Sequence, residues 1–112
     1  IEGKGFVIIN AKNIIKDTMI GTITSILSNS PLYEDGTIIT AMAYYDGKIK
    51  ISSRNVGRSG KNVREILNRI IEKIGGEVGA HEFAAGGIIS RNKEKEFIDS
   101  LQKSFEVELV KI

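Results

Sequence analysis

Cysteine and tryptophan are absent from this sequence, and histidine and proline occur once each. Without cysteine the chain has no disulfide framework and no thiolate metal site. A single histidine also excludes a histidine-rich zinc or copper site within one chain. No apolar run approaches the ~18 residues that a membrane span needs, and no secretory signal pattern opens the chain. We therefore expect a cytoplasmic protein without a membrane partner.

Length and composition are those of one globular domain. The chain has 112 residues, of which 41% are hydrophobic and 27% are charged. A domain of this size buries enough apolar surface to fold without disulfides or metals. The first residue is Ile1 rather than methionine. We therefore expect residues 1–112 to form a single domain that belongs to a longer polypeptide.

Positive charge is concentrated in the middle of the chain. The net charge is only +2, but residues 48–73 hold eight basic residues against two acidic ones and so carry +6. The segments on either side each carry −2. Such a field favours a negatively charged partner, and the alternative is an ordinary solvated surface. The eight basic residues are Lys48, Lys50, Arg54, Arg58, Lys61, Arg64, Arg69 and Lys73.

The first half of the sequence predicts a strand, a helix and a hairpin. The β-branched run at residues 6–9 predicts a buried strand. Apolar residues recur at helical spacing between residues 15 and 27, and Asn13 or Asp17 is the expected N-cap. Residues 37–45 and 48–53 flank Asp46-Gly47, a pair that favours a two-residue hairpin turn. Lysine alternates with isoleucine in the second of these strands, which predicts one solvated face.

The second half predicts two helices and two strands. Residues 63–74 carry the clearest helical period, with Asn62 as N-cap and Gly75 in the left-handed position that ends the helix. Residues 87–90 predict a strand, Asn92 the N-cap of a third helix, and residues 107–112 a closing strand. The order is β-α-β-β-α-β-α-β, which indicates an α/β (α+β) fold with one mixed sheet packed against helices.

The run GGEVGAHEFAAGG at residues 75–87 contains the only histidine and five of the twelve glycines. Glycine permits positive φ and close approach of other groups, and successive amides can form a concave anion site. We expect a glycine loop in which His81 contacts a phosphate or sugar. The alternative is a tight helix-to-strand turn with the alanines packed under a helix and His81 solvated.

Basic residues flank this run in the predicted fold. Arg54 ends a predicted strand, and the loop at residues 55–62 supplies Arg58 and Lys61 just before a helix. The free amides and positive dipole of a helix start favour an anion. The sequence thus predicts one groove lined by the glycine loop, Arg54 and the basic loop.

These residues resemble the DHH-associated domain. That module ends DHH-family phosphoesterases, including RecJ-like single-strand-specific exonucleases and small-oligonucleotide phosphodiesterases. Its signature is similar to this chain from the upstream Ser-x-Arg strand to the final Ala-Ala-Gly, and the spacing is like that of archaeal RecJ-like members. The family usually has glycine before the histidine, where this chain has Ala80. The matching positions are Ser52, Arg54, Gly75, Gly76, Gly79, His81, Ala84, Ala85 and Gly86.

The resemblance implies the C-terminal, substrate-gripping domain of a two-domain nuclease with a role such as DNA repair. In that family Mn²⁺ or Mg²⁺ is held by a separate DHH domain, where a metal-activated water attacks a phosphodiester. The expected partners are single-stranded nucleic acid, or a short oligonucleotide, and the DHH domain of the same polypeptide. This chain has no Asp-His-His motif. We therefore expect no cofactor, metal ligand or catalytic residue here, and no hydrolase activity from the chain alone.

Two alternatives remain at this point. The element order also occurs in ACT-type regulatory domains, in which glycine loops bind small molecules such as amino acids, but fold analogy alone supports that function. The C-terminal domain of alanyl-tRNA synthetases is also similar to this module and carries a related glycine-rich motif. That resemblance would make tRNA the ligand.

Overall fold

The computed structural model describes residues 5–57, 62–80, 84–104 and 106–110. Arg58, Lys61, His81 and Phe105 lie outside this range. Short 3₁₀ turns precede the first and third helices at Asp17–Met19 and Arg91–Lys93. The strands and helices, in chain order, are β1 (Gly5–Lys12), α1 (Ile20–Ser28), β2 (Ile38–Tyr45), β3 (Lys48–Asn55), α2 (Val63–Ile74), β4 (Glu77–Ala80), β5 (Ala84–Ser90), α3 (Glu94–Ser104) and β6 (Glu106–Val110).

The six strands form one mixed sheet in the order β4-β5-β3-β2-β1-β6. β1 pairs in parallel with β2 and β6, whereas β2-β3, β3-β5 and β5-β4 are antiparallel. The predicted α+β class with a mixed sheet is confirmed. The structure adds one strand, β4, which the sequence did not predict.

The hairpin between β2 and β3 forms where Asp46-Gly47 predicts it. Tyr45 pairs with Lys48 across the turn, and Asp46 and Gly47 have φ values of 45° and 73°. Two successive positive φ angles are typical of a type I′ turn, whose twist matches that of the flanking strands. This turn fixes the register of β3, and with it the face on which each β3 side chain lies.

Helices cover both faces of the sheet unequally. α2 and α3 pack on one face, where Leu67, Ile71, Phe97 and Leu101 join the core with side chains such as Met42. We call this the two-helix face. On the opposite face, Ile20 of α1 packs with alternate residues of β1 and β2. We call this the α1 face. α1 contacts β2 and β3; within the described ranges no helix packs to a similar extent on β5 and β4 from this side.

Helix ends match the sequence at α2 and differ at α1 and α3. The Asn62 Oδ1 accepts a hydrogen bond from the Glu65 backbone N–H at 3.3 Å, and Gly75 ends α2 with φ of 90°, both as predicted. The expected caps Asn13, Asp17 and Asn92 are wrong. Lys16 and Ser90 instead precede 3₁₀ turns, and neither caps with its side chain.

A polar cluster attaches the start of α3 to the sheet. Glu94 accepts hydrogen bonds from the Tyr44 hydroxyl at 2.5 Å and from the Asn10 Nδ2 at 2.9 Å. The Arg91 guanidinium stacks on the Tyr44 ring, 3.8 Å from its centroid. The pKa of Tyr44 is raised, chiefly because the phenolic proton is held in the hydrogen bond to the Glu94 carboxylate.

Candidate functional site

The glycine-rich run is a hairpin in the structure rather than a loop. Residues 77–80 and 85–88 pair as antiparallel strands, with Gly79 opposite Gly86. β5 pairs in turn with β3, where Gly86 lies opposite Ser52. The predicted concave nest of amides is therefore wrong for these residues, because the β5 backbone groups are used in two ladders. Ala80 lies in extended β4, so alanine before the histidine needs no positive φ.

Gly79, Gly86 and Ser52 form a row across three strands. Paired residues of antiparallel strands project on the same face, and for this row it is the α1 face, since Thr24 of α1 contacts Ser52. Two glycines side by side place no side chain on this part of β4 and β5. We call this row the glycine floor. Ser52 lies against α1, whereas within the described residues no helix packs to a similar extent on this face over Gly79 and Gly86.

Charged and apolar residues border the glycine floor on one side. Glu77, Ile88 and Lys50 form the adjacent row in the same three strands. A cavity of about 370 Å³ opens here and is lined by Glu77, Gly86, Ile88 and Lys50, together with Ile51, Val78 and Gly87. Because α2 fills the two-helix face, this cavity opens on the α1 face.

Arg54 borders the glycine floor on the other side. It is paired with Ala84 in β5 and is half-buried. No hydrogen bond or ion pair joins its guanidinium to another residue in the part of the chain that the structure describes. A guanidinium keeps its charge in proteins, and partial burial without a partner costs free energy. The geometry suits an anion on the floor.

Ser52 connects the floor to α1. Thr24 Oγ1 donates to the Gly21 carbonyl at 3.0 Å and lies 3.1 Å from Ser52 Oγ. Because the Thr24 proton is committed, the Ser52 hydroxyl donates to Thr24. Ser52 thus holds α1 at the margin of the floor and keeps lone pairs that can accept hydrogen bonds.

Three other predicted site residues have structural roles. Gly75 terminates α2, and Ala85 lies in the core of the two-helix face. A Cβ on Gly76 would lie 2.6 Å from the Ile88 carbonyl oxygen and 2.7 Å from Ile71 Cγ2. Gly76 lets the end of α2 lie directly on β5. Whether any of them also contacts a ligand stays a prediction, as do the roles of Arg58, Lys61 and His81, which lie outside the described residues.

The basic segment divides between the two sides of the molecule. Lys48, Lys50 and Arg54 alternate along β3 and project on the α1 face. Arg64 and Arg69 are exposed on α2, which covers the opposite face. Only part of the +6 segment therefore lies on the same face as Gly79 and Gly86. The residues that sequence reasoning missed at the site are Glu77 and Ile88, whose place follows only from strand register.

Two absences are findings about the described residues alone. Over residues 5–57, 62–80, 84–104 and 106–110, no helix has the length and hydropathy to cross a membrane. The same ranges contain no group of three or more His, Cys, Asp or Glu side chains that could hold a metal ion.

Comparison with solved structures identifies the same fold elsewhere. The crystal structure of the C-Ala domain from Aquifex aeolicus alanyl-tRNA synthetase superimposes with a TM-score of 0.65 over 88% of this chain and 86% of that chain, at 12% identity. The catalytic domain of histidine kinase ThkA reaches a TM-score of 0.33 at 16% identity and 78% coverage of each chain, from which nothing is inferred. A search of curated proteins gave no match.

Comparison with protein families accounts for almost the whole chain. The DHHA1 domain matches residues 4–107, from the start of β1 to the start of β6. The match includes the Ser52-to-Arg54 strand and the glycine-rich hairpin, the residues on which the resemblance to the DHH-associated domain rests. The chain therefore belongs to the DHHA1 domain family.

Proposed function

We infer that this chain binds single-stranded nucleic acid, or a short oligonucleotide, across the glycine floor. The observation that carries this function is the half-buried Arg54, which has no protein partner within the described ranges and lies next to the row of Gly79 and Gly86. A phosphate on the floor would supply the missing partner through charge-assisted hydrogen bonds. Family membership supports the proposal.

Three cationic side chains are spaced along β3, and we propose that the nucleic acid backbone runs along this strand. Lys48, Lys50 and Arg54 project on the α1 face from one strand, and β-strand geometry spreads them over about 20 Å. Tyr45 pairs with Lys48 at the end of this line and is 50% exposed. Single-strand binders combine a cationic track with aromatic rings on which bases stack. We assign the phosphates to the cations and a terminal base to Tyr45.

His81 follows β4 directly in the sequence, and Arg58 and Lys61 follow β3. We propose all three as further phosphate ligands, because their segments directly follow β3 and β4, two of the three strands that form the floor. The parent would be a phosphodiesterase similar to RecJ-like exonucleases of the archaeal type, with Mn²⁺ or Mg²⁺ in its DHH domain. In the described part of this chain, which includes no histidine or cysteine, no group of three or more Asp or Glu side chains could hold such a metal. We assign no catalytic step to them.

Structured RNA is a second candidate ligand. It is favoured by the fold shared with a domain of alanyl-tRNA synthetase. The two candidates differ in what they present to the floor: a single strand exposes its bases to Tyr45 and Ile88, whereas a duplex presents mainly its backbone. A short single strand and a hairpin of the same length separate them.

The test is the salt dependence of oligonucleotide binding, measured by fluorescence anisotropy. Each phosphate neutralised on a single strand adds about 0.7 to the slope of log K against log salt. Replacement of Arg54 by alanine should lower affinity and flatten that slope by about this amount. The matched control is Arg69→Ala, because Arg69 is exposed on the opposite side of the sheet. Equal losses from both substitutions would contradict binding on the glycine floor.

A further inference from the structure

The cavity next to the glycine floor has the arrangement of a nucleobase pocket. Its row consists of Glu77, Ile88 and Lys50, with the isoleucine between two opposite charges. Strands are about 4.8 Å apart, so the two charged residues start roughly 10 Å from each other. The volume of about 370 Å³ lies within the range of small-ligand pockets. A flat ring over Ile88 can be reached by the Glu77 side chain from the β4 side and by the Lys50 side chain from the β3 side.

Among the described residues, neither the Glu77 nor the Lys50 side chain makes a strong contact with another side chain. Glu77 is exposed, and over the residues that the structure describes it has no ion pair or side-chain hydrogen bond. The Lys50 Nζ is 4.0 Å from the Asp17 Oδ2, and the Lys50 side chain is 44% exposed. Such a long, exposed contact is worth little free energy. Both head groups are available to a ligand.

The chemistry of a carboxylate selects among the bases. An ionised carboxylate only accepts hydrogen bonds, and it can accept two side by side. Guanine offers two adjacent donors on one edge, the ring N1–H and the exocyclic N2 amine, and next to them the O6 acceptor. Adenine, cytosine and thymine each place an acceptor beside their donor on that edge, so a carboxylate there would meet a lone pair. Lysine, a donor only, suits O6.

We propose that the pocket formed by Glu77, Ile88 and Lys50 binds a guanine base. Glu77 accepts from N1–H and N2, Lys50 donates to O6, and Ile88 supports the ring. The proposal rests on the proposed function, since the phosphate attached to this nucleotide lies on the glycine floor beside Arg54. It makes the domain a binder with base preference, whereas a cationic groove with aromatic stacking alone is tolerant of sequence.

The experiment compares three short oligothymidylates that differ in one internal base: guanine, adenine or hypoxanthine. Anisotropy at one fixed salt concentration gives the three affinities, since phosphate contacts are then equal. A bidentate base contact is worth about 1–3 kcal/mol of discrimination, and the low end corresponds to roughly fivefold. We expect at least fivefold preference for guanine over adenine. Hypoxanthine lacks the N2 amine and should fall between them.

The variant Glu77→Gln should reduce the guanine preference to less than twofold, because an amide accepts through one oxygen only. The control Glu72→Gln removes an exposed carboxylate from α2, on the opposite side of the sheet, and should keep the preference. Equal affinity of the wild type for guanine and adenine oligonucleotides would overturn the pocket and leave the phosphate site standing. Retained preference in Glu77→Gln would overturn the role of Glu77. Failure of every oligonucleotide to bind would overturn the proposed function as well.

Discussion

Individual glycines in this chain have different structural roles, and the distances from an added Cβ to its neighbours distinguish these roles. A Cβ on Gly87 would lie 2.7 Å from Ile71 Cδ1 and 2.9 Å from the Glu77 carbonyl oxygen, whereas one on Gly21 would meet only Ser52 Oγ at 3.9 Å. Gly87 thus permits close packing of α2 on the sheet. Gly21 occupies an exposed helical position.

We expect Gly87→Ala to lower the free energy of unfolding by about 1–3 kcal/mol, the usual cost of overpacking a core. Gly21→Ala should raise it by about 0.5–1 kcal/mol, because alanine is the better helix former. Urea denaturation of both variants measures the two effects. Equal midpoints for the two proteins would show that α2 adjusts without cost, against the packing described above.

His81 gives a second prediction at the level of a single residue, and its proposed role rests on the sequence. At pH 8 an unperturbed imidazole is neutral and displaces no counterion from a nucleic acid. His81→Ala should therefore weaken oligonucleotide binding while the salt slope stays the same, unlike Arg54→Ala. Anisotropy at several salt concentrations distinguishes the two results. Wild-type affinity in a folded His81→Ala protein would make His81 an ordinary solvated residue.

At the scale of secondary-structure elements, local signals predicted α2 and the β2-β3 hairpin correctly. The ends of α2 and the hairpin turn depend on residues close in the chain, namely Asn62, Gly75 and Asp46-Gly47. A local sequence pattern is therefore enough to predict them. β4 was not predicted, because the glycines of this run suggested a loop and its pairing with β5 is visible only in the strand register of the structure. The position of Glu77 and Ile88 beside Lys50 likewise depends on three strands meeting, which no local pattern specifies.

The N-cap of α2 gives a direct test at this scale. Removal of the Asn62 side chain leaves the Glu65 N–H without its acceptor. Asn62→Ala should lower the free energy of unfolding by about 1 kcal/mol, and Asn62→Asp should retain most of it. Thermal denaturation followed by circular dichroism compares the three proteins. If alanine and aspartate gave the same loss, capping would not be the cause.

The attachment of α3 predicts a pH effect. The pKa of Tyr44 is raised, chiefly by its hydrogen bond to Glu94, so the folded state holds the phenolic proton more tightly than the unfolded state. This contribution to stability is fully present below the unfolded value of about 10 and is lost as the pH rises through the folded pKa. Glu94→Gln should bring the pKa of Tyr44 down, which tyrosinate absorbance during an alkaline titration measures. The control Glu96→Gln alters an exposed residue of the same helix and should leave the titration unchanged.

At the scale of the whole molecule, the sheet separates the packed two-helix face from the α1 face, on which we propose that nucleic acid binds. Within the described residues, α2 and α3 fill the two-helix face, and no helix packs to a similar extent on the α1 face over β5 and β4. Cations of one sequence segment are divided between the two sides, so net charge along the chain overstates the field at the site. The fold class was predictable from element order. The position of β5 and β4 beyond α1 was not, because it depends on the strand order β4-β5-β3.

The most direct test of the central claim is a map of amide chemical shifts during titration of the ¹⁵N-labelled chain with a short single-stranded oligonucleotide. Binding on the glycine floor predicts the largest changes at Ser52, Arg54, Gly79 and Gly86, with α2 amides such as Arg64 and Arg69 nearly unmoved. Changes concentrated on α2 and α3, with the glycine floor unaffected, would contradict the account.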